Sequence, residues 1–168
     1  MQTEELIRLL ATHPFFQSWG DDALAHLIRE TTLKTFHVGE ALWTEGEEGH
    51  SAYILVEGRV ERTLHVRPEG HRTTHHDRAG ELLSLSSLVH PWEHTSTGTP
   101  LETVTVLELS RAQFMGMFEA DSPTAYRLVD AIAANLVEEM RDANKRLHKV
   151  FGQPAETLRM LRRRMRTQ

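Results

Sequence analysis

The chain has 168 residues, 39% of them hydrophobic and 26% charged, with a formal net charge of −5, which fits one ordinary globular domain and argues against a general nucleic-acid binder. It contains no cysteine, which excludes disulfides, thiol nucleophiles and thiolate metal sites. No stretch approaches the ~18 consecutive apolar residues of a membrane span, and the acidic start MQTEELIRLL has no cleavage-site pattern, so a cytoplasmic, non-membrane protein is expected.

In chain order, Leu6, Ile7, Leu9 and Leu10 are spaced as a short amphipathic helix over 4–10. His13-Pro14 interrupts it, because proline disfavours helical backbone at the residue before it. Phe15 and Phe16 read as a buried aromatic pair or a lid over the next helix. That helix starts at Asp21-Asp22 and reaches about Glu30, with Leu24, Leu27 and Ile28 on one face.

From 33 to 109 the pattern becomes short strands, predicted at 33–37, 41–44, 51–57, 59–66, 71–77 and 103–109. Turns containing Gly39, Gly46, Gly49, Gly58, Gly70 and Gly80 separate them, a rhythm that points to a barrel or sandwich. The leucine- and serine-rich run 81–89 breaks the rhythm and reads as one short helix.

Ser110 then caps a short helix with Phe114, Met115, Met117 and Phe118, and Asp121-Ser122-Pro123 starts a long one. Along it Leu128, Ile132, Leu136, Met140, Ala143, Leu147 and Val150 recur every three or four residues, beside a second stripe of Val129, Ala133 and Val137. About 28 residues of helix would run roughly 42 Å, longer than the β region needs as cover. One side is therefore expected on the β region and the other on the same helix of a partner, giving a homodimer. Gly152-Gln153-Pro154 ends this helix, and the remainder carries Arg159, Arg162, Arg163, Arg164 and Arg166 without an acid among them. The expected organisation is one domain over 1–151 and a short basic helix over 152–168.

Helices, a glycine-punctuated β region and a long helix together resemble the cyclic-nucleotide-binding domain of catabolite-activator/Fnr-type regulators and kinase regulatory subunits. The resemblance runs from His13 to about Phe151. It is carried by Pro14-Phe15-Phe16, by Gly39-Glu40, by Glu45-Gly46-Glu47-Glu48-Gly49 and by the run from Ser51 through Glu57-Gly58-Arg59-Val60. It implies an α+β, mainly β fold: a double-stranded β-helix, or jelly-roll-like β-roll, flanked by N-terminal helices and a long C-terminal dimerisation helix.

The resemblance also implies a phosphate-binding cassette, built of glycine-glutamate, a short helix, then arginine and a small residue. Gly80 and Glu81 match its start, and Leu82, Leu83 and Ser84 would open the helix whose N–H groups face an anion. Glu81 would accept from a ribose hydroxyl; the alternative is an acid stabilised by the helix dipole. The arginine position falls on His94 and the small residue on Thr95, after a loop 89–93 a few residues longer than usual. A charge-assisted bond to phosphate contributes on the order of 1.5–3 kcal/mol, about ten- to a hundredfold in affinity, and an unperturbed histidine (pKa about 6.5) is largely neutral above neutral pH.

The implied function is a ligand-sensing regulatory domain in signal transduction or transcription regulation, with weakened or altered binding of cyclic AMP or cyclic GMP. Two alternatives stay open: a degenerate dimeric interaction scaffold without a small ligand, and a haem or metal sensor using His65, His71, His75 and His76. Nothing points to an enzyme, since Gly-x-Ser-x-Gly, a Walker loop and His-Glu-x-x-His are all missing. In the activator branch a helix-turn-helix domain follows the long helix. Here about one helix follows, so no sequence-specific DNA binding by this chain alone is expected.

Overall fold

The computed structural model describes residues 2–66 and 70–151, so the expected basic helix over 152–168 lies outside the described residues. The chain forms two compact units, Met1–Val129 and Asp130–Gln168.

The first unit opens with α1 (Thr3–Ala11) and α2 (Asp21–Glu30). Each buries its apolar stripe, Leu6 and Leu10 on α1 and Leu24, Leu27 and Ile28 on α2. Phe16, completely buried between them in sequence, meets Phe15 edge-on at 4.8 Å and Trp19 at 5.1 Å, so the expected aromatic pair is an aromatic triplet.

Seven strands follow: β1 (Thr32–Phe36), β2 (Ser51–Glu57), β3 (Val60–Val66), β4 (Gly70–His76), β5 (Leu82–Leu83), β6 (Thr97–Pro100) and β7 (Val104–Ser110). They pair antiparallel into two sheets, ordered β1-β7-β2-β5 and β4-β3-β6, which form the β-roll. Between the sheets lie Leu42, Trp43, Tyr53, Leu55, Val60, Leu83, Val104 and Val106, with Phe36 packed against them. Tyr53 carries its polar end into this core and donates to the Leu42 carbonyl at 2.8 Å. Burial, assisted by the Glu108 charge, pushes its hydroxyl up to about 12.

Two expectations fail here. The segment 41–44 is not a strand; only Trp43 makes a bridge, to Gly98. The indole lies so close over Gly98 that a Cβ there would stand 2.5 Å from the ring. Trp43 is thus held by burial rather than by a ladder. The run 81–89 is not one helix either. It divides into β5, a left-handed Ser84 (φ 57°, ψ 34°) and a single 3-10 turn over Leu85–Leu88. Leu83 is drawn into the sheet because its side chain completes the core, leaving only four residues for the turn.

After β7, Ser110 caps α3 (Arg111–Glu119) through a reciprocal box: its Oγ accepts from the Gln113 amide at 3.2 Å, and Gln113 Oε1 accepts from the Ser110 amide at 2.9 Å. The long helix α4 (Pro123–Phe151) has 29 residues. Val129, Ala133, Leu136, Met140, Ala143 and Leu147 alternate steps of four and three along it, the period of a coiled-coil seam. Met140 and Leu147 on this seam are 65% and 53% exposed. Among the described residues no helix is long and apolar enough to cross a membrane.

Candidate ligand-binding cassette

The expected site residues fall into two groups. Gly80 and Glu81 end the β4–β5 turn rather than opening a helix. Gly80 adopts φ 86°, donates to the Leu55 carbonyl at 2.7 Å and packs beneath His13, whose Cβ would be 2.4 Å from an added methyl. Only glycine meets both conditions without strain. Glu81 takes a hydrogen bond from His76 Nδ1 at 2.8 Å and faces the Arg78 amide at 3.5 Å. Burial opposes its ionisation, but the bond and charge of His76, the Arg78 amide and His13 outweigh it and hold the carboxyl below its usual range. His76 Nε2 is buried without a hydrogen-bond partner among the described residues.

Leu82 and Leu83 pair with Ile54 and Tyr53 of β2. Their N–H groups therefore belong to a strand, not to the helix N-terminus expected for them. The residue standing directly before the short helical turn is Ser84, followed by Leu85, so that place holds neither a glycine nor a carboxylate.

The second group is a cluster around His94. Ser84 Oγ lies 3.4 Å from His94 Nδ1 and 2.8 Å from Ser87 Oγ. The His94 backbone is fixed at both ends, its amide donating to Glu47 O at 2.8 Å and its carbonyl accepting from Gly46 N at 2.9 Å. Its ring leans on Trp43 with centroids 6.2 Å apart. Burial lowers the His94 pKa, Glu47 raising it in part and His50 lowering it further. The net shift favours the neutral imidazole. Thr95, expected beside it, is exposed, and the next residue, Ser96, is 3% exposed.

Sequence reasoning missed three members. Ser96 Oγ accepts from Arg62 Nε at 3.0 Å and from Trp43 Nε1 at 3.4 Å, which brings β3 to the cassette. Arg111, the first residue of α3, donates from Nε to Ser87 O at 2.9 Å and from Nη2 to Gly49 O, while its amide donates to His50 O at 2.8 Å. The Ser110 cap was legible; the reach of Arg111 and Arg62 was not, because their partners lie 24 and 34 residues away.

The histidines proposed for metal do not converge. His65 bonds Glu45 and stands 4.3 Å from the His71 ring, His75 meets Glu61 at 3.2 Å, and His76 serves Glu81. Among the described residues no group of three or more His, Cys, Asp or Glu side chains could hold a metal.

Comparison with known proteins gives consistent results. The profile of the cyclic nucleotide-binding domain matches residues 33–121. No curated protein matches the chain. Among solved structures, the catabolite activator protein of Thermus thermophilus is 19% identical with a TM-score of 0.69, over 82% of this chain and 64% of that one. The N-terminal domain of a transcriptional regulator from Streptomyces coelicolor A3(2) is 28% identical with a TM-score of 0.64, over 78% of this chain and 94% of that one. A cyclic nucleotide-binding domain from Methylobacillus flagellatus KT is 15% identical with a TM-score of 0.71, over 86% and 81%. The chain thus spans less than two thirds of the length of the Thermus protein.

Proposed function

The chain belongs to the cyclic nucleotide-binding domain family, and from that premise we propose that it is a ligand-sensing regulatory module whose cassette, Gly80 to Thr95, binds a phosphate-bearing small molecule more weakly than an arginine-clamped site would. The observation that carries this reading is the link from cassette to helix. Arg111 holds Ser87 and Gly49 with its side chain and His50 with its amide. Any ligand that shifts the Leu85–Leu88 turn pulls on the first turn of α3, and a population shift in α3 is the output.

Cyclic AMP and cyclic GMP are the reference ligands. Two features weaken them here: at the clamp position a histidine, which burial biases toward its neutral form, and Leu85 instead of a carboxylate at the turn. Glu81 acts by positioning, tying the β4–β5 turn through His76. The seam of α4, with Met140 and Leu147 exposed, supports a two-fold dimer through that helix. The scaffold reading draws support from the same Ser84-Leu85 pair, which offers a ribose no acceptor carboxylate.

A thermal-shift panel of cyclic AMP, cyclic GMP, other nucleotides, haem and divalent metals separates these readings, because a ligand that binds only the native state raises its melting temperature. A saturable shift with a cyclic nucleotide supports the module. A flat panel supports the scaffold, and a shift with haem or metal alone supports the histidine sensor.

A further inference from the structure

Strand β3 alternates its side chains between the two faces of its sheet. Val60, in the core, and Arg62 share one face; Glu61, which meets His75, is on the other. Arg62 is paired with Thr74 on β4 and with Gly98 on β6. Gly98 has no side chain, and the Trp43 ring lies in the space above it. A guanidinium on this face is therefore a charge turned toward the roll interior, beside Trp43 and Ser96.

Its partners do not neutralise it. Arg62 Nε donates to the Ser96 hydroxyl, and no carboxylate among the described residues forms an ion pair with it. One of its five N–H donors is thus used, and the four on the terminal nitrogens have no partner among the described residues. Ser96 Oγ already accepts twice, so its own proton is free to be donated. A half-buried charge without a counter-charge is costly, and a guanidinium cannot shed it by losing its proton. The free guanidinium N–H donors and the hydroxyl proton of Ser96, two residues after His94 in sequence, are together complementary to an oxyanion.

We propose that Arg62, supplied by β3 and oriented by Ser96, is the anion-binding cation of this cassette in place of the arginine that position 94 lacks, and that its ligand carries a phosphate or comparable oxyanion. This rests on the reading of the cassette as the ligand site. A cation from β3 approaches the ligand from the sheet rather than from the loop, so the site selects a phosphate seated deeper in the roll, against Trp43.

The test follows the Arg62 Nε–H signal of the nitrogen-15-labelled chain by NMR, assigned from its loss in Arg62→Lys, during titration with cyclic AMP, inorganic phosphate and adenosine. We expect saturable shifts with cyclic AMP and, more weakly, with phosphate, and none with neutral adenosine. Arg62→Gln should weaken cyclic AMP binding about ten- to a hundredfold, with Arg62→Lys in between, since it keeps the charge and loses the fork. A melting temperature for Arg62→Lys near that of the parent shows that the fold is intact even if the glutamine variant fails. If cyclic AMP binds while the Arg62 signal and the lysine variant's affinity stay unchanged, the Arg62 assignment is overturned and the cassette reading survives. If phosphate moves the signal and cyclic AMP does not bind, the cyclic-nucleotide reading fails and the Arg62 site stands. If neither anion moves it, the proposal is wrong.

Discussion

Replacing Gly49 by alanine places a methyl group where the cassette has no room. The new Cβ would stand 2.2 Å from Ser87 Oγ, 2.9 Å from Ser87 Cβ and 3.1 Å from His94 Cε1. Gly49 does not have a left-handed backbone, so the perturbation is steric alone. Ser87 cannot step aside cheaply. It is 3% exposed, its hydroxyl is bonded to Ser84 and its carbonyl holds Arg111. Overpacking of this kind costs about 1–3 kcal/mol. Losing the Ser84–Ser87 bond is included in that range, since one such bond contributes about 1 kcal/mol. For a domain of this size each kcal/mol lowers the melting temperature by about 2–4 °C, so a fall of roughly 2–12 °C is expected. Scanning calorimetry of Gly49→Ala, Ser87→Gly and the double variant measures the coupling directly. Removing the serine side chain takes away both of the closest atoms, so the double variant should be more stable than the sum of the singles predicts. Additive effects, or a neutral Gly49→Ala, would refute the packing argument and with it the rigid link between the 46–49 turn and the cassette.

Gly80→Ala should lower stability in the absence of any ligand, because φ 86° and the close His13 both oppose a Cβ; an effect seen only on ligand affinity would instead make Gly80 a binding residue. Tyr53→Phe removes the bond to Leu42 O and should cost about 1 kcal/mol by chemical denaturation; no change would mean that water replaces the phenol without penalty. Burial keeps His94 below the ordinary imidazole range. The unfolded chain then takes up the proton first, so this stabilisation is complete above about pH 6.5 and is lost as pH falls through that value toward the lower folded one. His94→Gln should accordingly lose less stability than the parent between about pH 8 and pH 5.5, and parallel curves would contradict the depressed pKa. Sedimentation should give roughly twice 19.2 kDa, with Met140→Glu or Leu147→Glu shifting it toward monomer; a monomeric parent chain at micromolar concentration removes the dimer.

Local signals carried much of this molecule. β2 was legible at its observed bounds because an apolar run from Ala52 to Val56 ends at Glu57-Gly58, and Gly58 takes the φ of 94° that such a turn demands. The starts of α3 and α4 were equally legible, since the Ser110–Gln113 box and the Ser122-Pro123 pair are made by neighbours in sequence. Other parts were settled only by contacts between distant residues. Thr97–Pro100 combines two threonines with glycine and proline and has little strand preference of its own; it becomes β6 because β3 pairs with it, Val60 opposite Pro100. Leu82 and Leu83 look helical beside Leu85 and Leu88, yet burial of Leu83 against β2 makes them β5 and moves the turn past Glu81. That position 94 carries a histidine is plain in the sequence. That Arg62 and Trp43 share the Ser96 hydroxyl is not, because the Arg62–Ser96 and Trp43–Ser96 bonds span 34 and 53 residues, and only the closure of the two sheets brings those side chains together.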